Sequence, residues 1–163
     1  MRKRKVFIRF AHANDVQRLI AEGVVTGPPR REPWAQRISK WLNEQQVGRR
    51  VIFVAEDETG LLGMVQLVFS FPPGFTDAEA ANGMDVAMME GLRLRADAPS
   101  EVGTQLVSEV QKAAQKRNVR TLTFLLPMNA TKALMQAKSW GFEEFRIMPE
   151  PDKMLAFFRK SVE

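Results

Sequence analysis

The sequence has no cysteine and no tyrosine, and its only histidine is His12. Without cysteine there are no disulfides and no thiolate metal sites, and one imidazole cannot build a multi-histidine centre. The lack of tyrosine removes a common catalytic acid. Long apolar runs are missing too. None approaches the roughly 20 residues of a membrane-spanning helix. The basic start Arg2-Lys3-Arg4-Lys5 is followed only by Val6-Phe7-Ile8, too short for the apolar part of a signal peptide. These absences point to a cytoplasmic protein with no membrane partner. There is no internal repeat and no low-complexity segment.

What is present is ordinary for a globular chain. The 163 residues are 45% hydrophobic and 26% charged, which fits one domain spanning residues 1–163 with a real core. A net charge of +5 and a pI near 9.9 favour anionic partners, either a phosphorylated cofactor or nucleic acid. A solvated basic surface is the plainer reading of the same numbers. A basic stripe interleaved with aromatics is lacking, so a nucleic-acid partner ranks last.

The stretch Met88–Asn129 organises the rest. Val86, Met88, Leu92 and Leu94 alternate with other residues, as in a half-buried strand. Asp97, Ala98, Pro99 and Ser100 break the pattern, and Ser100 suits a helix N-cap with Glu101 in the first turn. Val102, Leu106, Val110 and Ala113 then fall at helical spacing, with Lys112, Gln115, Lys116 and Arg117 on the wet face. Asn118 stops the helix, and Val119–Leu126 reads as the next strand. A helix entered this way presents free N–H groups that can hold a phosphate.

The flanking segments are also legible. Val6–Phe10 is a strand, Asn14 and Asp15 can cap a short helix, and Gly27-Pro28-Pro29 marks a loop. Pro33 opens a second helix whose stripe is Trp34, Ile38, Trp41 and Leu42, and the two tryptophans read as core packing. Arg50–Asp57 and Leu61–Phe71 form a hairpin around Glu58-Thr59-Gly60, ended by Phe71-Pro72-Pro73-Gly74-Phe75. A helix over about Thr131–Trp140 ends at Gly141, followed by strands at Phe142–Met148 and Met154–Phe158 around a turn at Pro149–Lys153. The order predicts an α/β (α+β) fold, with a mixed, mostly antiparallel sheet covered by helices on both faces.

The chain resembles the GNAT acyltransferase superfamily in element order over nearly its whole length. The more specific likenesses are Glu90 before the pair Leu92-Arg93-Leu94, and the segment Asn129–Phe142 with its closing Gly141-Phe142. The resemblance implies an N-acetyltransferase that moves an acetyl group from acetyl-CoA to an amine, the acceptor being a small molecule or a protein. No metal is implied. Leu92 and Leu94 would hydrogen-bond the pantetheine arm through their backbone. Glu101, Val102, Gly103 and Thr104, at the helix start, would hold the pyrophosphate with backbone N–H groups. Glu90 would be the base, directly or through water. Many members form homodimers, though nothing in this sequence fixes the oligomer.

The chain departs from the family at two places. The family's loop runs Arg/Gln-x-x-Gly-x-Gly/Ala, and the matching run here is Ala98-Pro99-Ser100-Glu101-Val102-Gly103. Glycines allow close backbone approach to phosphate, and a glutamate brings like charge. Either Glu101 points outward, or pyrophosphate binding is weak, or the site holds something else, with Arg93 and Arg95 available to restore positive charge. Second, Ala137 stands where many members carry the tyrosine that protonates the leaving thiolate, so solvent or Ser139 would supply that proton. A non-catalytic binding or regulatory protein of the same fold is the alternative function.

Each candidate also has a structural reading. Glu90, placed by alternation on the face of Leu92 and Leu94, would be partly desolvated and more basic there; otherwise it is a partner in an ion pair. Gly103 serves phosphate approach or tight helix packing. Asn129 serves the cofactor or a turn. His12 reads as a surface or cap residue. Met84, Met88, Met89, Met128 and Met135 read as core filler. The loops at Gly23–Pro33 and Pro72–Asp85 would shape the acceptor pocket and select neither charge.

Overall fold

A computed structural model describes residues 5–28, 32–70, 79–150 and 153–162. The elements are β1 (Phe7–Phe10), α1 (Asp15–Ala21), α2 (Trp34–Gln46), β2 (Arg50–Asp57), β3 (Gly60–Val68), β4 (Val86–Leu94), α3 (Glu101–Lys116), β5 (Thr121–Pro127), α4 (Thr131–Ser139), β6 (Glu143–Glu150) and β7 (Lys153–Ser161). The strands form one sheet in the order β1-β2-β3-β4-β5-β7-β6. The β4–β5 pair is parallel, as a helical crossover requires; β1–β2, β5–β7 and β6–β7 are antiparallel. The Pro72–Phe75 and Asp77 part of the loop before β4, and residues 151–152 of the last turn, lie outside the described residues.

Two compact units divide the chain: Met1–Leu67 with Gly91–Val110, and Val68–Glu90 with Gln111–Glu163. In the first unit the stripe read from α2 faces the core, as expected, with Ile38 buried and the rest half-buried. Ile38 is 1% exposed, and Trp34, Trp41 and Leu42 pack on a core of Val16, Leu19, Ile52, Val54, Leu61 and Met64. Entry into α2 follows the proline rule with a one-residue shift: Pro33 sits at the cap and Trp34 opens the helix.

Helix α1 is held differently from the capping expected for it. Asn14 occupies the cap position but makes no side-chain cap hydrogen bond. Asp15 is instead fully buried and accepts two bonds from Arg9, at 2.8 and 2.9 Å, and one from the His12 N–H at 2.9 Å. The buried carboxylate outcompetes the cap because Arg9, on the neighbouring strand, presents a planar fork to it. Arg9 Nε reaches Glu56 at 2.8 Å, Arg18 Nε reaches Glu22 at 2.7 Å, and Glu22 accepts the Leu61 N–H at 2.8 Å. Every acid in this group answers a named donor. His12 is exposed, as expected of a surface residue.

In the second unit Val68, Ala80, Met88 and Phe157 form a core with Leu125 and Phe145 against it. Phe145 and Phe157 meet edge to face at 4.6 Å. β7 is longer than the sequence pattern indicates, because all of β5 pairs with it, from Thr121↔Ser161 to Pro127↔Leu155. The methionine expectation holds only in part. Met88 and Met89 are buried, but Met84 and Met135 are 78% and 67% exposed, and Met128 is exposed too. Met84 lies in a turn gathered by Asn82, whose side-chain oxygen accepts from the N–H groups of Met84, Asp85 and Val86, which leaves the thioether no core to enter.

Candidate functional site

The ladder between β4 and β5 runs Val86↔Thr121, Ala87↔Leu122, Met88↔Thr123 and Met89↔Phe124. β4 itself continues to Leu94. Just past the ladder, Gly91 adopts φ +63°, in the left-handed region that an L side chain resists. A Cβ there would also meet Gln66 Nε2 at 3.0 Å. Gln66 is fully buried; its Oε1 accepts from Arg50 Nη1 at 2.6 Å, while its Nε2 has no hydrogen-bond partner among the described residues. A left-handed residue inside a strand is the mark of a bulge. Alternation placed Glu90 on the face of Leu92 and Leu94, and the left-handed Gly91 lies between them in the chain.

The first unit brings most of the predicted cofactor residues into one strand–turn–helix. Leu92 and Leu94 are half-buried on β4. Leu94 packs toward α3, since a Cβ on Gly63 would meet Leu94 Cδ2 at 2.7 Å and Leu106 Cδ1 at 3.2 Å. The turn is built from the Arg95 N–H to Leu62 O at 2.8 Å and the Ala98 N–H to Arg95 O at 2.9 Å. α3 begins at Glu101, directly after Ser100. Glu101 and Thr104 are exposed, while Val102 and Gly103 are buried.

Of the three openings left by the altered loop, the structure has the outward-pointing glutamate. It also reduces the donors there, because the Val102 N–H is already given to Pro99 O at 3.1 Å. Arg95 does not restore the missing positive charge. Its guanidinium binds Asp97 Oδ1 at 2.5 Å, Leu61 O at 3.2 Å and Thr59 Oγ1 at 3.0 Å. Arg93 stacks instead on Trp34 of α2, its guanidinium carbon 4.8 Å from the ring centroid.

Glu90 and Asn129 belong to the second unit. Glu90 is half-buried at the end of that unit's part of β4, and it has an interaction partner. Asn129 is exposed, and its carbonyl accepts the Thr131 N–H at 3.0 Å, a turn role ahead of α4. Ala137 is fully buried. The Ser139 hydroxyl is exposed and donates to Gln136 O at 2.6 Å, back into its own helix. Gly141 has φ +91° as the cap reading required, and Phe142 is buried 5.8 Å from Phe124. A hollow of about 500 Å³ in this unit is lined by Thr121, Gly141, Glu143, Arg159, Lys160 and Ser161, none of them a candidate residue.

Sequence reasoning missed Gly91, Gln66 and the arginines on Trp34. Glycine inside an otherwise regular strand was the available signal for the bulge. Nothing in spacing could have joined Arg37 to Arg93. Among the described residues no group of three or more His, Cys, Asp or Glu could hold a metal ion, and no helix is long and apolar enough to cross a membrane.

With this geometry in hand, comparison with solved structures identifies the fold. An N-acetyltransferase from Staphylococcus aureus Mu50 superposes with a TM-score of 0.76 at 17% identity, covering 98% of this chain and 99% of that one. An acetyltransferase assigned to the GNAT family from Desulfovibrio desulfuricans gives 0.73 at 13% identity, covering 98% and 100%. An aminoglycoside 6'-N-acetyltransferase complexed with coenzyme A gives 0.74 at 14% identity, covering 96% and 97%. No protein-family model matches the sequence, and no curated protein matches it either. The chain has the GNAT fold, with a seven-stranded, mostly antiparallel sheet and four helices among the described residues.

Proposed function

We propose that the protein is an N-acetyltransferase that moves an acetyl group from coenzyme A to an amine, as one acyltransferase domain acting in the cytoplasm. The observation that carries this reading is the break in β4. In a GNAT fold the strand has a left-handed glycine, Gly91, directly after its ladder with β5 ends at Met89. Beyond it, the backbone of Leu92 and Leu94 would run alongside the pantetheine arm. The coenzyme A held by the aminoglycoside enzyme of the same fold supports the choice of acyl donor.

In this reading the amine nitrogen attacks the thioester carbonyl, the N–C bond forms, and the C–S bond breaks with departure of the coenzyme A thiolate. Glu90 takes the proton from the attacking ammonium, directly or through one water. A thiolate is a tolerable leaving group, so solvent can protonate it where no tyrosine exists. Orientation of the two reactants supplies much of the rate. The pyrophosphate grip is weaker than the family's, because Glu101 replaces a glycine and the Val102 N–H is already donated.

That last observation also favours a second reading, a binding or regulatory protein of the same fold. Glu90→Gln separates the two. On the enzymatic reading it lowers kcat by about 100-fold while acetyl-CoA affinity is retained. Wild-type protein that binds acetyl-CoA and releases no thiol with any amine supports the second.

A further inference from the structure

Arg37 of α2 and Arg93 of β4 both lie over Trp34, their guanidinium carbons 4.3 and 4.8 Å from the ring centroid. Arg37 also lies 5.4 Å from the Trp41 ring. The indole is held in place by its own N–H, which donates to Gly27 O at 3.0 Å. Two cations are thus gathered around one indole, near enough to repel one another. Neither has a carboxylate partner among the described residues, and the Nε of Arg93 is buried without a hydrogen-bond partner. Burial and the nearby Arg37 both weaken the hold of Arg93 on its proton.

Cation–π contact offsets part of the cost of desolvating a guanidinium, but it leaves the planar N–H fork unused. A carboxylate fits that fork in bidentate fashion and would cancel the repulsion between the two arginines. The direction of Arg93 matters as well. Leu94 points toward Leu106 of α3, whereas Arg93, its neighbour on the strand, points toward Trp34 of α2. The guanidinium is carried away from the helix start where a pyrophosphate would sit.

We propose that Arg37 and Arg93, set against Trp34, bind the carboxylate of the acceptor, so that the substrate is an amine bearing an acid group. The proposal rests on the acetyl-transfer reading and narrows its acceptor to amino acids and acidic peptides. It sets this chain apart from the aminoglycoside enzyme of the same fold, whose named substrate is a polycation. Two uncompensated guanidiniums would repel a polycation.

Two measurements test it. In the first, thiol release from acetyl-CoA is followed with glutamate, its diamide and spermidine as acceptors. Wild type should favour glutamate over the diamide by about tenfold or more in kcat/KM, with spermidine poorest. Arg93→Gln and, separately, Arg37→Gln should raise the KM for glutamate by about tenfold and remove the preference, leaving acetyl-CoA affinity within about twofold of wild type. Equal use of glutamate and diamide overturns the proposal. So does an Arg93→Gln variant that loses acetyl-CoA affinity, since the pair would then serve the cofactor's phosphates.

The second measurement needs no turnover. Tryptophan fluorescence is titrated with glutamate and with the diamide. A saturable change with glutamate alone, lost in Arg93→Gln and in Arg37→Gln, supports the anion site. The same response to both probes, or none, overturns it. If wild type binds no acetyl-CoA, the acetyl-transfer reading fails and the acceptor role fails with it, while the fluorescence result still decides the anion site.

Discussion

Two arginine groups in the first unit make opposite use of the same side chain. Around α1, Arg9 and Arg18 are fully answered. Asp15, Glu56 and Glu22 take their N–H groups at 2.7–3.4 Å, and backbone donors fill the remaining carboxylate positions. Around α2, Arg37 and Arg93 have an aromatic surface and each other, with no acid among the described residues. The first arrangement closes on itself and can only hold α1 to the sheet. The second leaves donors unspent, which suits a surface meant to receive an anion. Charge counting over the sequence cannot separate the two, since both are arginines near tryptophan- and glutamate-bearing segments.

The contrast can be broken most severely at Asp15. Asp15→Ala leaves Arg9 facing a buried void and should lower stability by about 3 kcal/mol, read from urea denaturation. Acid attacks the same group. Burial pushes the Asp15 pKa up, but the hydrogen bonds from Arg9 and from the His12 N–H outweigh it and leave the carboxyl below its ordinary 3.8. Glu22, through Arg18, and Glu56, through Arg9, are held below 4.5 despite some desolvation. Carboxyls whose folded pKa lies below the unfolded value contribute stability above that unfolded value and lose it as pH falls. The urea midpoint should therefore be flat near pH 6–7 and decline from about pH 5 downward. In Asp15→Ala the decline should be shallower.

Smaller effects lie on the other side. Gly91→Ala forces an L side chain to φ +63° against Gln66 and should cost about 1–2 kcal/mol, with a further loss of acetyl-CoA affinity if the bulge guides the pantetheine. Arg93→Gln breaks no ion pair and should cost about 1 kcal/mol, the worth of a half-buried cation–π contact. A loss as large as that of Asp15→Ala would erase the distinction between the two groups.

How much of this was legible follows from which forces are local. Hydrophobic spacing, Pro33, Gly141 and the Asp97–Ser100 break gave the element order, because helix and strand periods are written into neighbouring residues. The Gly141-Phe142 closure and the departures at Glu101 and Ala137 were also visible as letters in place. What escaped was set by contacts between elements. Asp15 left its expected capping task because Arg9 reached it from another element. Arg95 was one of two candidates to restore charge at the phosphate loop, but Asp97, Thr59 and Leu61 hold it. Gly91, read as one more strand residue, takes a left-handed conformation that periodicity alone does not signal.

The central claim is that this fold, with its loop changed at Glu101, still takes coenzyme A as acyl donor. Calorimetric titration of acetyl-CoA into the wild-type protein tests it directly. The account predicts saturable binding with a dissociation constant of roughly 0.1–1 mM, at the weak end of ordinary substrate affinities. No heat of binding at millimolar acetyl-CoA would contradict it.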